Sequence, residues 1–413
     1  MKLQTTPIPA EYRRNFLHLY FDIGWYGLLA GSAANFINIY AARLGASGLQ
    51  IGLMGGMTAA INLVLAIPAG RWLERRPIGK AVFWTALLYR LGYLSWVFLP
   101  LLFGKNNLAQ INALLLINFL MGIPLTAVGL GFNALFAEAT PANWRAYVAG
   151  IRNSVLSITF MLTSLASGYI LSRLPFPLGY QVIFLIGFFG ALMSSYHLYF
   201  IQPLPHLPET GLDDQSPAPN APVHNPHTNL RLDILRSPFR TTLLVLFAFH
   251  LAQYLAIPLF PLAFVHSLHL TDAQIGTGTA LFYLTVLLGS TQLSRLVRLS
   301  GHKNITGWGV VCMAIYPILL SISSQVWHFY GLSAVGGLAW ALVGGAYANY
   351  LLEKIPANDR PAHLAWYTVA ANACALIGSL AGPALVNQIG LPAALILFGL
   401  LRAAAGASIL LWG

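Results

Sequence analysis

Apolar residues in this chain run in long blocks, broken by short polar or basic segments. The blocks fall at 15–41, 48–72, 79–103, 108–137, 147–172 and 178–201. They resume at 239–265, 272–299, 305–324, 327–352, 363–388 and 391–412. Each has about the 20 apolar residues that an α-helix needs to cross a bilayer. The pattern predicts an all-α membrane protein of twelve transmembrane helices. Between the sixth and seventh blocks, residues 203–237 include LPETGLDDQSPAPNAPVHNPHTN, too polar to bury a core. This stretch is read as a cytoplasmic flexible linker joining an N-terminal six-helix bundle, 1–202, to a C-terminal one, 238–413.

Composition narrows the classes further. Of 413 residues, 57% are hydrophobic and 8% charged, against about a quarter charged in soluble domains. So few charges cannot cover a soluble surface of this size, which excludes a soluble enzyme, a disordered scaffold and a disulfide-rich secreted domain. The net charge of +11 would point to nucleic acid in a soluble chain. Here the basic residues punctuate the apolar blocks, so they report membrane orientation and no nucleic-acid partner is expected. With the N-terminus inside, seventeen Lys and Arg, Arg152 among them, fall in cytoplasmic segments. Three fall outside (Arg43, Lys105, Arg173) and two within spans (Arg90, Arg402). That asymmetry places both termini in the cytoplasm. Cys312 and Cys374 both lie in apolar runs and make neither a disulfide framework nor a metal spacing. No cofactor and no metal are expected, and the opening MKLQTTPIPAEYRRN lacks the features of a removable signal.

Two internal echoes organise the chain. Glu138-Ala-Thr-Pro-Ala-Asn-Trp-Arg145 returns as Glu353-Lys-Ile-Pro-Ala-Asn-Asp-Arg360, offset by 215. Ser47-Gly-Leu-Gln-Ile-Gly52 returns as Thr271-Asp-Ala-Gln-Ile-Gly276, offset by 224. Both link the same position in each half with the same orientation, which makes the halves a parallel repeat of two six-helix bundles.

Between the second and third spans the chain reads Gly70-Arg-Trp-Leu-Glu74-Arg75-Arg-Pro77-Ile-Gly79-Lys80. This resembles the loop signature of the major facilitator superfamily, G-x-L-x-D-R-x-G-R-K. Gly70, Glu74 and Arg75 align, Glu replaces Asp, Lys80 comes one position late and Pro77 departs from the pattern. With twelve spans, a central linker and a parallel repeat, the resemblance covers the whole chain. It implies a bacterial-type inner-membrane secondary transporter, monomeric, moving a small solute by alternating access. Gly70, Glu74, Arg75 and Lys80 would form a cytoplasmic latch, extended by Glu138 with Arg145 and Glu353 with Arg360. Ordinary orientation-setting loop charges are the plainer alternative.

The resemblance also implies that the first, fourth, seventh and tenth helices line a central cavity. Their polar or small stripes are Gly24, Gly27, Gly31, Asn35 and Asn38; Asn118, Gly122, Thr126, Gly129 and Asn133; His250, Gln253 and Tyr254; and Gly337, Trp340, Gly344 and Tyr347. Glycine stripes equally serve close helix packing in lipid. Pro258 and Pro261 are expected to bend the seventh helix. Charges inside spans are costly, about 2.5–3.5 kcal/mol each at the centre of a helix. Asp22, Arg90 and Arg402 therefore stand out. Asp22 and Arg90 are read either as a structural pair or as a proton-coupling carboxylate beside an anion anchor; Arg402 is a second such anchor, and His250 a weaker proton carrier. The fifth span has no Gly-Pro pair, which weakens a drug/proton antiporter reading; the nearest, Gly382-Pro383, is in the eleventh. A receptor or lipid-handling protein on the same fold is the alternative of another class.

Overall fold

A computed structural model of the chain describes residues 10–203, 231–356 and 359–413. Ten helical segments among the described residues have the length and apolarity of a membrane span. Two observations bring the count to the expected twelve. The first segment is helical throughout but passes through a π-helical turn, so α1 comprises Ala10–Leu29, Ala30–Ala34 and Asn35–Arg43. The 51-residue segment Asp272–Ile322 is two helices, because Gly301 at φ 77° breaks the helical path. A residue with a side chain adopts that φ only with strain.

The spans are α1, α2 (Gly48–Glu74), α3 (Ile78–Phe103), α4 (Asn107–Ala139), α5 (Ala142–Arg173) and α6 (Leu178–Tyr199). They continue as α7 (Phe239–Ala256), α8 and α9 on either side of Gly301, α10 (Val326–Glu353), α11 (Arg360–Ile389) and α12 (Leu391–Trp412). Beyond Ile257–Pro258, α7 goes on as Leu259–Leu262 and a second π turn, Ala263–Ser267, so the seventh helix is interrupted where its prolines predict. Most of the linker expected over 203–237 lies outside the described residues. Its last part is structured: Leu232–Arg236 forms a 3₁₀ turn whose Ile234 is buried among α7 and α10 side chains.

The second echo has a local cause. Ser47 and Thr271 are the N-caps of α2 and α8. Each hydroxyl accepts from the backbone N–H three residues on, and Gln50 and Gln274 each accept the cap's own N–H at 2.8 Å. These are two copies of one capping box.

Loops 75–77, 140–141, 231–238, 301 and 354–356 with Asp359 gather at one face, rich in Lys and Arg and here termed the basic face. Loops 44–47, 104–106, 174–177, 268–271, 323–325 and 390 lie at the opposite face. One large apolar cluster, including Phe36, Tyr40, Trp96 and Phe184 with Val265, Leu270, Ile275 and Phe329, joins both halves toward the opposite face. The clusters nearer the basic face each belong to one half.

Candidate functional site

Polar contacts between the halves are concentrated in the half of the seam nearer the opposite face. At its end, Arg43 donates to Asp272 at 2.9 and 3.2 Å and to the Leu270 carbonyl at 2.5 Å. Deeper in, Asn35 donates to Ser164 at 3.2 Å, and Ser164 donates across the seam to the Gly276 carbonyl at 3.3 Å. Asn62 meets Asn372 at 3.2 Å, and the Phe160 and Tyr283 rings stack at 3.9 Å. Asn62 stands about 21 Å along α2 from Gly48 at 1.5 Å per residue, near midspan. Among the described residues, no hydrogen bond, ion pair or ring stack crosses between the halves at the basic face. Among the described residues the seam is therefore a wedge, sealed at one end.

The seal is symmetric. The offset of 224 relates Gly52 to Gly276, and the offset of 215 relates Ser164 to Ser379. Gly52 of α2 lies against the Ser379 carbonyl of α11, and Gly276 of α8 against the Ser164 carbonyl of α5. Both contacts are so close that only a glycine fits. The two edges of the seam are thus copies of one helix crossing, with small residues letting backbones approach as packing in lipid requires.

Inside the N-terminal half lies a buried charge cluster. Asp22 accepts from Arg152 at 3.2 Å and from the Ser194 hydroxyl at 2.5 Å, while Arg90 stands 3.9 Å away and donates to Ser195 at 2.8 Å. Arg152 also donates to the Leu19 carbonyl at 2.6 Å and lies over the Phe132 ring at 4.8 Å. Arg90 does approach Asp22, but Arg152 is the nearer cation. The expected place of Arg152 in a cytoplasmic segment is corrected: it is only 8% exposed, two to three turns inside α5. Its position at the margin of an apolar block hid it, and nothing in a single sequence marks a partner on another helix.

Several other expected roles change. The glycines of α1 pack against α5: a Cβ at Gly27 would strike Thr159, and one at Gly31 would meet the Phe160 carbonyl at 2.6 Å. Gly27 and Gly31 are packing residues rather than cavity lining, and Asn35 continues the same face, whereas a Cβ at Gly24 would only touch Val155 at 3.5 Å and Gly24 lines a groove beside α5. Asn38 is half-buried with an unpartnered Oδ1. On α4, Asn118 bonds its own helix and Thr126 donates to Asn62 at 2.6 Å, whereas Gly129 and Asn133 face open space toward the basic face. His250 is bonded to the Tyr367 hydroxyl at 2.8 Å, with the Tyr347 ring edge-on at 6.1 Å; Tyr254 packs on Gly378 of α11. Gln253, Trp340 and Arg402 line a cavity inside the C-terminal half.

At the basic face, Glu74 and Arg75 are exposed and, among the described residues, form no ion pair; a Cβ at Gly70 would meet nothing within 4 Å. Lys80 is likewise exposed. The charge network expected around them takes another form here. Arg145 caps its neighbouring helix end through the Ala137 and Thr140 carbonyls at 2.7 and 3.1 Å rather than pairing with Glu138. Glu353 pairs with His302 at 2.6 Å, Arg360 is exposed, and Asp359 is held by Arg231 at 2.8 Å. Hydrogen bonds from Arg231 to Asp233 and Asp359 hold its guanidinium pKa above the usual arginine value.

The sequence model of the Major Facilitator Superfamily matches residues 23–253 and 242–413. No curated protein matches the sequence. Among solved structures, a bacterial homologue of the iron transporter ferroportin, in an inward-facing state, is similar at TM-score 0.72 and 13% identity, over 98% of this chain and 99% of that one. A bacterial homologue of the human lysosomal transporter Spinster, inward-facing and unoccupied, gives 0.69 and 13%, over 98% of each chain. A variant of the nucleoside transporter NupG gives 0.69 and 14%, over 96% of this chain and 99% of that one.

Proposed function

We propose a working cycle from one premise: the chain belongs to the Major Facilitator Superfamily, and is a secondary transporter moving a small solute by alternating access. The wedge is the inward-open arrangement of that cycle. The basic face is cytoplasmic, since Lys and Arg are retained on that side of an inner membrane. The one-sided seal carries the reading: polar, apolar and glycine contacts all join the halves toward the far face. A carrier with two such faces must break these contacts and make others at the basic face.

Glu74 and Arg75 are suited to that second set. Exposed and without an ion pair among the described residues, they would meet the other half when the basic ends approach and form charge-assisted bonds there. Glu74→Gln is expected to leave abundance and thermal stability unchanged while lowering flux severalfold in proteoliposomes; wild-type flux would remove the latch. Breaking the present seal has the converse effect. Asp272→Asn weakens hydrogen bonds to a charged partner, worth about 1.5–3 kcal/mol, and so shifts the balance of states by roughly 10- to 150-fold. A cysteine at Asn35, with Cys312 and Cys374 replaced by Ala, should then react faster with an impermeant maleimide added from outside. An unchanged rate would show that the Arg43–Asp272 bridge does not hold the seal.

Asp22 serves in this reading as the counter-charge of two guanidinium groups within a rigid half, not as a proton carrier. The solute, coupling ion and monomeric state follow the same test system. Solute flux in proteoliposomes with imposed gradients separates a carrier from a receptor, which would bind without net movement.

A further inference from the structure

Within the C-terminal half, α7, α8, α9, α10 and α12 line a cavity of about 250 Å³, one wall of which, Phe329, also belongs to the apolar cluster that joins the halves. Its walls are mainly aromatic, with Phe260, Phe264, Phe282, Tyr316, Phe329 and Trp340, and Arg402 lies among them. The Arg402 side chain is 2% exposed; among the described residues it donates to the Met313 and Gln253 carbonyls at 3.2 and 3.4 Å, and its Nε is buried without a partner. Gln253 Oε1, on the same cavity, is also buried and unpartnered.

The two halves treat their buried arginines differently. Arg90 and Arg152 share Asp22. No described carboxylate stands within ion-pairing distance of Arg402. Two long bonds to neutral carbonyls leave most of its five N–H groups unused and its charge uncompensated, a costly state for a buried ion. A planar guanidinium fork matches a carboxylate in geometry as well as charge. An inorganic anion would answer the charge but leave the aromatic volume empty. The volume also falls below the roughly 300–1,000 Å³ of sites for drug-sized molecules, so the occupant is small.

We propose that this cavity is a binding site for a small monocarboxylate with an aromatic or branched apolar body, its carboxylate on Arg402 and its body among the rings. Every lining residue belongs to one bundle, so the site stands whether or not its ligand is the transported solute.

The test uses the full-length purified chain in detergent at constant ionic strength set with sodium sulfate. Thermal unfolding is followed against phenylacetate, benzoate and 3-methylbutanoate, with phenylacetamide and sodium chloride as comparators. Saturable stabilisation by at least one acid is expected, with phenylacetate half-saturating at least tenfold below phenylacetamide. Arg402→Gln should abolish the shift. Thr279→Phe, which fills the cavity and keeps the guanidinium, should abolish it too, and decides the matter should Arg402→Gln fail to fold. Equal effects of phenylacetate and phenylacetamide, no saturable effect from any of the three acids, or the full shift with chloride alone would each overturn the site.

Discussion

Asp22→Asn is expected to destabilise the N-terminal half by about 3–5 kcal/mol, the usual cost of removing one partner from a buried ion pair. The carboxylate is the one acidic group among two guanidiniums, and all three side chains are at least 90% buried. Amide substitution preserves shape and leaves two positive charges facing each other in a dry bundle. Arg152→Gln should cost less. It leaves Asp22 with Arg90 at 3.9 Å and the Ser194 hydroxyl at 2.5 Å, a closer balance of charge than the native cluster has. The double variant should recover part of the Asp22→Asn loss, because it restores the native excess of one positive charge. Unfolding of the four proteins in detergent gives the coupling directly. A melting curve for Asp22→Asn matching the native one would remove the counter-charge role. A folded Asp22→Asn carrier that still moves solute but no longer responds to a pH gradient would instead make Asp22 the coupling group.

The parts of this molecule legible in its sequence are those written in local chemistry. Apolar blocks bounded by basic residues give twelve spans because each span must satisfy its own backbone in lipid. The Ser47 and Thr271 echoes are readable because a capping box needs a hydroxyl and a glutamine three residues apart. What was misread depends on the partner helix. Gly27 and Gly31 share a face, but sequence cannot say whether that face meets water or α5. Arg152 looks like a margin charge until Asp22 is found across from it. Glu74 and Arg75 were legible as a motif, but a motif does not say that, among the described residues, neither forms an ion pair. The π turns in α1 and α7 have no such local mark, whereas the break at Gly301 falls in the gap between the 272–299 and 305–324 blocks.

Gly52→Ala combined with Gly276→Ala is expected to reduce transport at least tenfold while leaving the helices intact. A methyl at Gly52 would overlap the Ser379 carbonyl oxygen, and one at Gly276 would lie 2.6 Å from the Ser164 oxygen. Backbone oxygens cannot rotate away, so the sealed end must open. Overpacking costs about 1–3 kcal/mol per site, and here it falls only on the arrangement in which the halves touch there. Two independent sites at opposite edges of the seam should therefore add, and a shift of even 2 kcal/mol changes the ratio of states roughly thirtyfold. Alanine is the better helix former by up to about 1 kcal/mol, so α2 and α8 should not weaken, and a loss of flux with an unchanged melting temperature separates trapping from misfolding. Gly56→Ala supplies the contrast on the same face of α2. Its methyl would sit 3.6 Å from the Ser379 Cβ, ordinary contact, and flux should stay near the native value. In the trapped double variant, a cysteine at Asn35 should become reactive from the far face. If the double variant transports normally and that cysteine stays protected, the seal must give way without cost, and the two-ended wedge is not how this carrier alternates.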